Sequence, residues 1–185
     1  MEISSRFVML IEMSLYIYID GANLHKGTNR QGWDIDYVKF SVFLKEKYHA
    51  EHLFIFMGYV PKYQKLYNKI ENAGFTIVFK TVSVLSDIIK GNCDVELAFQ
   101  VTQDFYENKM TSCILVTGDG DFECIIKFLL LKDALAGLVA PDPKSCSYLI
   151  TGLLQNIVYL SEFEHLLALN KKAPGDDKTS QGSFS

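Results

Sequence analysis

The chain has 185 residues, which corresponds to one compact domain and excludes a large multidomain protein. Hydrophobic residues make up 49% of the chain and charged residues 22%, values that are typical of a globular protein and exclude a largely disordered or fibrous one. Lys and Arg together number 18 against 22 Asp and Glu, so the net charge of -4 excludes a global basic field as the means of binding nucleic acid.

The two ends of the chain differ in composition from its middle. Residues 1–12 contain an apolar stretch from Phe7 to Ile11, but Glu2 and Glu12 flank it and no small-residue cleavage site follows. We therefore expect an N-terminal extension or a loosely docked arm, and neither a secretory signal nor a membrane span. Residues 171–185 are mostly polar and small, which predicts a disordered C-terminal tail and leaves residues 13–170 for the folded domain.

The four cysteines form no CxxC pair and have no histidine nearby at the spacing of zinc ligands. This pattern speaks against a structural zinc site. It favours reduced thiols in a cytoplasmic protein.

Short apolar runs alternate along the chain with segments that carry apolar residues at helical spacing. The strands predicted in chain order are Leu15–Ile19, Leu53–Tyr59, Thr76–Lys80, Cys113–Thr117, Leu135–Ala140 and Ile157–Leu160. The helices predicted between them are Asp36–Tyr48, Lys62–Ala73, Asp94–Lys109, Phe122–Lys132 and Ser145–Leu154. This alternation predicts an α/β fold with a mostly parallel, open doubly wound sheet, in which ligands bind at the carboxyl ends of the strands.

Acidic residues follow two of these strands directly. The first strand is followed by Asp20-Gly-Ala-Asn23, which by itself is also a common turn sequence. The fourth strand ends in Thr117-Gly-Asp-Gly-Asp121-Phe122, where one carboxylate would serve to cap the next helix but two are more than a cap requires.

A third segment contributes Asp94, which opens a predicted helix after Lys90-Gly-Asn-Cys. Its spacing from Leu97 and Val101 places it on the buried side of the first turn. A buried carboxylate needs compensation, which either a capping role, for which Asn92 is better placed, or a bound cation would supply.

Three separate segments thus bring carboxylates to the same edge of the predicted sheet. Oxygen ligands without His or Cys select Mg²⁺ or Mn²⁺ over zinc. One or two such ions would bind a phosphodiester, activate water and stabilise the leaving oxygen.

The ordered motifs Asp20-Gly-Ala-Asn23, Lys90-Gly-Asn-Cys-Asp94 and Thr117-Gly-Asp119-Gly-Asp121-Phe122 resemble the signatures of the NYN domain, a branch of the PIN-like nuclease superfamily. The resemblance runs from about Leu15 to Leu167 and implies a PIN-like three-layer α/β/α sandwich with metal-dependent ribonuclease activity. It also implies metal-site roles for Asp20, Asp94, Asp119 and Asp121 and substrate-side roles for Asn23, Thr117 and Ser147. Two departures are Gln100 and Gln155, where relatives often carry acidic residues.

Basic residues close to the predicted metal site are candidates for phosphate contacts. Lys26 and Arg30, placed in a loop after Asn23, and Lys90, beside Asp94, are nearest along the chain. A second group, Lys62, Lys65 and Lys69 with Tyr63 and Tyr67, has the spacing of either an RNA-binding stripe or an ordinary solvated helix face. Trp33 suits base stacking or a lid on the core.

These observations lead to three hypotheses for function. The first is a Mg²⁺- or Mn²⁺-dependent ribonuclease that cuts single-stranded or structured RNA. The second is an RNA-binding or scaffolding module with weak or no activity, which the glutamines at 100 and 155 favour. The third, a phosphatase with Asp20 as nucleophile, is disfavoured because such sites want a second Asp at position 22, which is Ala. An apolar final helix, Phe163 to Leu169, and an exposed sheet edge would allow a homodimer.

Overall fold

The computed structural model describes residues 14–81, 83–85, 88–90 and 93–169, and the side chains of residues 81–92 lie outside this description. The predicted extension at residues 1–12 and the predicted tail at residues 171–185 also lie outside it. A six-stranded sheet forms the centre of the molecule. Its strands are β1 (Leu15–Asp20), β2 (His52–Tyr59), β3 (Thr76–Thr81), β6 (Ser112–Val116), β7 (Leu135–Ala140) and β8 (Ile157–Tyr159). They lie in the order β3-β2-β1-β6-β7-β8.

All neighbouring strands of this sheet pair in parallel, as the sequence predicts. The central strand β1 explains why: Ile17 and Ile19 point to one face, Tyr18 points to the other, and all three are fully buried. A strand that is buried on both faces needs apolar residues at successive positions, and it requires helices above and below the sheet.

Helices cover both faces and complete the three layers of an α/β/α sandwich, which confirms the predicted fold class. One face packs against α1 (Gly21–Arg30), α2 (Tyr37–Tyr48), α3 (Gln64–Asn72) and α7 (Glu164–Leu167). The other face packs against α4 (Asp94–Tyr106), α5 (Glu123–Leu131) and α6 (Tyr148–Thr151). None of the helices in the described part of the chain is long and apolar enough to cross a membrane.

The chain winds outward from the middle of the sheet in both directions. It runs from β1 through β2 to β3, then returns to place β6 on the other side of β1, and continues through β7 to β8. The strand order therefore reverses between β1 and β6, where Ile19 pairs with Val116. In an open parallel sheet this reversal opens a crevice at the carboxyl ends of the two strands.

Three local features differ from the sequence predictions. Residues 21–30 form the helix α1 instead of the predicted loop. The sequence pattern does not indicate this helix, because its buried positions include Gly21, Gly27 and Thr28 and so show little apolar periodicity. A small antiparallel hairpin of β4 (Ser83–Leu85) and β5 (Ile88–Lys90) lies between β3 and α4. The predicted helix Ser145–Leu154 is reduced to the four residues of α6.

Candidate metal centre

Asp20 ends β1 and lies at the reversal point of the sheet. It caps α1, because its Oδ1 accepts a hydrogen bond from the backbone N–H of Asn23 at 3.0 Å. Gly21 lets the chain turn here, since a Cβ at this position would lie 2.8 Å from the Phe56 carbonyl oxygen of the neighbouring strand. Asp20 is only 6% exposed, so its carboxylate is held in a largely desolvated position.

Two polar contacts join the end of β1 to the end of β6. The Thr117 hydroxyl accepts the backbone N–H of Asp119 at 3.1 Å and lies 3.4 Å from Asp20 Oδ2, to which it donates. The Asn23 side-chain oxygen accepts the backbone N–H of Gly118 at 2.8 Å. These bonds fix the loop after β6 against the first turn of α1.

Three further carboxylates, those of Asp94, Asp119 and Asp121, converge beside this junction. Each offers one oxygen atom such that the three atoms lie within 4.8 Å of one another. Asp94 is the first residue of α4, and Asp119 caps a 3₁₀ turn over Gly120–Phe122 by accepting the backbone N–H of Asp121 at 3.1 Å. Asp94 and Asp119 are half-buried and Asp121 is exposed, so the group is open to solvent on one side.

Burial and like charge together disfavour ionisation of Asp20. The pKa of its carboxyl is raised from an ordinary value of 3.8 to about 6, chiefly by burial. The hydrogen bond from the Asn23 backbone lowers this pKa, and the negative charges of Asp94 and Asp119 raise it. Cys93 also lies in this environment, where burial, followed by the charges of Glu96 and Asp20, raises the pKa of its thiol to about 11. The thiol is therefore protonated at neutral pH.

The donor set fits a hard divalent cation. Carboxylate oxygens are the ligands that Mg²⁺ and Mn²⁺ prefer, and three of them already lie close enough together to share one ion. Within residues 14–80 and 93–169, no lysine or arginine forms a salt bridge with Asp20, Asp119 or Asp121. A bound cation would offset the repulsion that these clustered charges otherwise produce.

The residues predicted to contact substrate lie at different distances from the acidic group. Ser147 caps α6 and packs on the loop after β6: its backbone N–H donates to the Gly118 carbonyl at 2.9 Å, and a Cβ at Gly120 would lie 2.5 Å from its Oγ. Lys26 and Arg30 are exposed on α1, three and seven residues beyond Asn23, and so share its helix face. Lys90 ends β5, and its side chain lies outside the described residues.

Three aromatic residues considered for base stacking divide between core and surface. Trp33 is 4% exposed and belongs to the core cluster on the face of the sheet that α1, α2, α3 and α7 cover. Tyr67 is also buried, and its hydroxyl forms hydrogen bonds with the backbone of Gly58 and Val60. The prediction that Tyr67 stacks on an RNA base is therefore wrong, because its ring is not accessible. Tyr63 is partly buried, with the Lys62 ammonium 4.9 Å from its ring centre, and Lys62, Lys65 and Lys69 are exposed.

Two polar side chains, Gln100 on α4 and Asp142 after β7, serve the fold. Gln100 donates to Asp104 Oδ1 at 3.0 Å, and Asp104 Oδ2 accepts the Tyr18 hydroxyl at 2.8 Å. Asp142, which follows β7 and is not among the site residues that the sequence predicts, accepts the backbone N–H groups of Lys144 and Ser145 within its own turn. The Asp-Pro-Lys-Ser sequence is the signal that indicates such a turn.

Comparisons with known proteins agree with the fold. The structure is similar to the crystal structure of a protein of unknown function from Vibrio parahaemolyticus, with a TM-score of 0.68. The match covers 84% of this chain and 96% of that one at 19% sequence identity. This similarity shows that the two proteins share a fold. No curated protein matches the sequence. A comparison with protein families matches residues 14–150 to the NYN domain, a span that contains all four acidic residues of the site. The chain belongs to the NYN domain family, and its fold is that of the PIN-like nucleases.

Proposed function

We propose that the protein is a metal-dependent ribonuclease that hydrolyses phosphodiester bonds of RNA at the acidic group. The observation that carries this proposal is the convergence of Asp94, Asp119 and Asp121 within 4.8 Å, beside the buried Asp20 at the reversal point of a PIN-like sheet. Membership of a family of nucleases supports the same chemistry.

In this proposal Asp94, Asp119 and Asp121 hold Mg²⁺ or Mn²⁺, and Asp20 adds a fourth carboxylate from the buried side. Such an ion supplies a Lewis acid that activates water near neutral pH and stabilises the negative charge of the leaving oxygen. Thr117 is 1% exposed and its hydroxyl is engaged by Asp20 and Asp119, so we assign it the positioning of Asp20 in place of a direct substrate contact. Asn23 fixes the loop that carries Asp119.

The substrate side of the site contains polar and basic groups that would bind the RNA backbone. Lys26 and Arg30 extend along α1 from Asn23 and would bind consecutive phosphates on either single-stranded or structured RNA. Ser147, which packs on Gly120, and Lys90, which precedes Asp94, complete the proposed contact set.

The proposal is tested by incubating single-stranded and hairpin RNAs with the wild type and Asp119→Asn, in Mn²⁺, in Mg²⁺ and in EDTA. We expect cleavage by the wild type with metal, at least a 100-fold loss in Asp119→Asn, and none in EDTA. The matched control is Asp133→Asn: this exposed acid follows α5 at the opposite end of the sheet and has a φ of 53°, which Asn adopts readily. Equal cleavage by Asp119→Asn and Asp133→Asn would contradict the proposal.

An RNA-binding module without turnover is the second candidate function. The observation that favours it is the amide at Gln100, which bonds to Asp104 and brings no additional carboxylate to the acidic group. RNA binding that persists in EDTA, without cleavage under any metal condition, would favour this alternative.

A further inference from the structure

A shallow apolar groove runs between α4 and α5 on the outer surface of the molecule. Its volume is about 450 Å³. The side chains that line it include Val95, Phe99 and Thr102 from α4 and Cys124, Ile125 and Phe128 from α5. These residues define the α4/α5 groove.

Large apolar side chains are unusually exposed along this groove. Val95 is 71% exposed and Phe99 is 66% exposed, although both lie on a helix whose inner face is well packed against the sheet. Near the other end of the helix Tyr106 is 63% exposed, with its ring 5.9 Å from that of Phe128. Contiguous exposed apolar surface of this kind marks a binding surface.

The charges around the groove favour an apolar polypeptide over a nucleic acid. The upper end adjoins the acidic group, because Val95 follows Asp94 and the Cys124 thiol lies 4.0 Å from the Asp121 carbonyl oxygen. Lys127, on the same helix α5, is already paired with Glu123 at 2.8 Å. The side chains that line the groove itself carry no charge, so they offer a phosphate group no cation to bind.

The described chain begins at the opposite, lower end of the groove. The Ser14 carbonyl oxygen accepts the backbone N–H of Thr111 at 3.0 Å, and Thr111 lies five residues beyond the last residue of α4. Ser14, the first described residue, thus lies just beyond the C-terminal end of α4.

The length and composition of the preceding segment match the groove. Ile11 and Phe7 are three and seven residues before Ser14, which corresponds to a reach of roughly 10 to 23 Å in extended chain. The 13 residues of α4 span roughly 20 Å. We propose that the α4/α5 groove binds the apolar segment Phe7–Ile11 of the same chain.

Cys124 allows a direct test, because it is an exposed free thiol in the groove. In the full-length chain we would introduce Val8→Cys, oxidise under mild conditions, and map the disulfides by mass spectrometry. We expect an intramolecular disulfide between position 8 and Cys124. We also expect it to form at least tenfold more slowly when Phe99→Asp is added, since that change places a charge in the apolar groove without altering a buried residue. Circular dichroism verifies that each variant is folded.

Two controls make the test decisive. Ser180→Cys places a thiol in the polar C-terminal segment and is expected to react with Cys124 at least tenfold more slowly than Val8→Cys does. Phe7→Asp with Leu10→Asp, combined with Val8→Cys, is expected to slow the disulfide by a similar factor. The proposal is overturned if the apolar changes leave the rate unaltered, if position 8 pairs with a different cysteine or none, or if the disulfide joins two chains, which would identify a second copy as the occupant.

Discussion

Asp20 is the residue at which stability and the proposed function oppose each other. Its carboxyl is 6% exposed, caps α1 and lies near two other acids, so ionisation is costly in the metal-free protein. A carboxyl whose pKa is higher in the folded protein than in the unfolded chain favours folding while it is protonated. This contribution to stability is fully present below the unfolded pKa and is lost as the pH rises through the folded pKa. For Asp20 that window runs from about pH 4 to somewhat above pH 6.

The substitution Asp20→Asn removes this penalty and keeps an oxygen for the cap. In EDTA at pH 7.5 we expect the variant to have the higher free energy of unfolding, by up to about 3 kcal/mol, and the difference to shrink towards pH 4. Urea unfolding of the wild type and variant across this pH range measures it. A variant that is less stable than the wild type at pH 7.5 in EDTA would show that the Asp20 carboxylate is not destabilised by its surroundings.

The sequence locates the acidic residues well but cannot assign the hydrogen bonds that hold them. Asp20 and Asp119 are predictable because residues that follow parallel strands meet at one edge of a sheet. The bonds that join Asp20, Thr117 and Asp119 depend on side-chain direction, which spacing along the chain does not determine. The bond from Gln100 to Asp104 likewise links positions whose partnership only the packed structure reveals.

Among the elements, α1 departs most from the sequence prediction and affects the substrate side most. A loop would leave Lys26 and Arg30 without a fixed relation to Asn23, whereas a helix places all three residues on one face. The sequence pattern does not predict this helix, because glycine and threonine in place of large apolar residues occupy three of its buried positions.

The helical arrangement predicts how Lys26 and Arg30 contribute to RNA binding. We expect Lys26→Ala and Arg30→Ala each to weaken binding of a single-stranded RNA and to reduce the slope of log K against log salt by about 0.7. Fluorescence anisotropy in EDTA across a salt series measures both effects without cleavage. Lys132→Ala, an exposed residue that follows α5, is the matched control, and an equal effect of all three changes would contradict a phosphate path along α1.

The loop after β6 depends on close contact between Gly120 and Ser147. A Cβ at Gly120 would lie 2.5 Å from Ser147 Oγ and 3.1 Å from Ser147 Cβ, so Gly120→Ala forces the loop or α6 to shift. We expect a loss of about 1–3 kcal/mol in the free energy of unfolding. Thermal or urea denaturation measures the loss.

A matched glycine and a second substitution identify the cause of that loss. At Gly137 in β7 a Cβ would make only an ordinary contact, 3.9 Å from Ile114, so Gly137→Ala should cost less than Gly120→Ala. In a Ser147→Gly background the cost of Gly120→Ala should fall, because the clashing atoms are gone. An unchanged cost in that background would assign the destabilisation to backbone conformation instead.

At the scale of the whole molecule, the doubly wound sheet is what assembles the site. The alternation of apolar strands and helices was sufficient to predict the fold class, since strands buried on both faces require helices on both sides. The sequence does not predict the hairpin of β4 and β5, because its two strands have only three residues each. Asp20 ends β1, and Thr117 and Asp119 follow β6, so the neighbouring central strands join segments that are nearly 100 residues apart in sequence.

The central claim is that the acidic group is a divalent-metal site. Titration of the purified protein with Mn²⁺, followed by electron paramagnetic resonance of the free ion, measures this binding without reference to RNA. We predict binding by the wild type and by Asp133→Asn, and an affinity at least tenfold lower for Asp119→Asn, because one of the three close carboxylates is lost. If Asp119→Asn binds Mn²⁺ as tightly as the wild type, or if the wild type binds none at millimolar Mn²⁺, the acidic group is not the metal site.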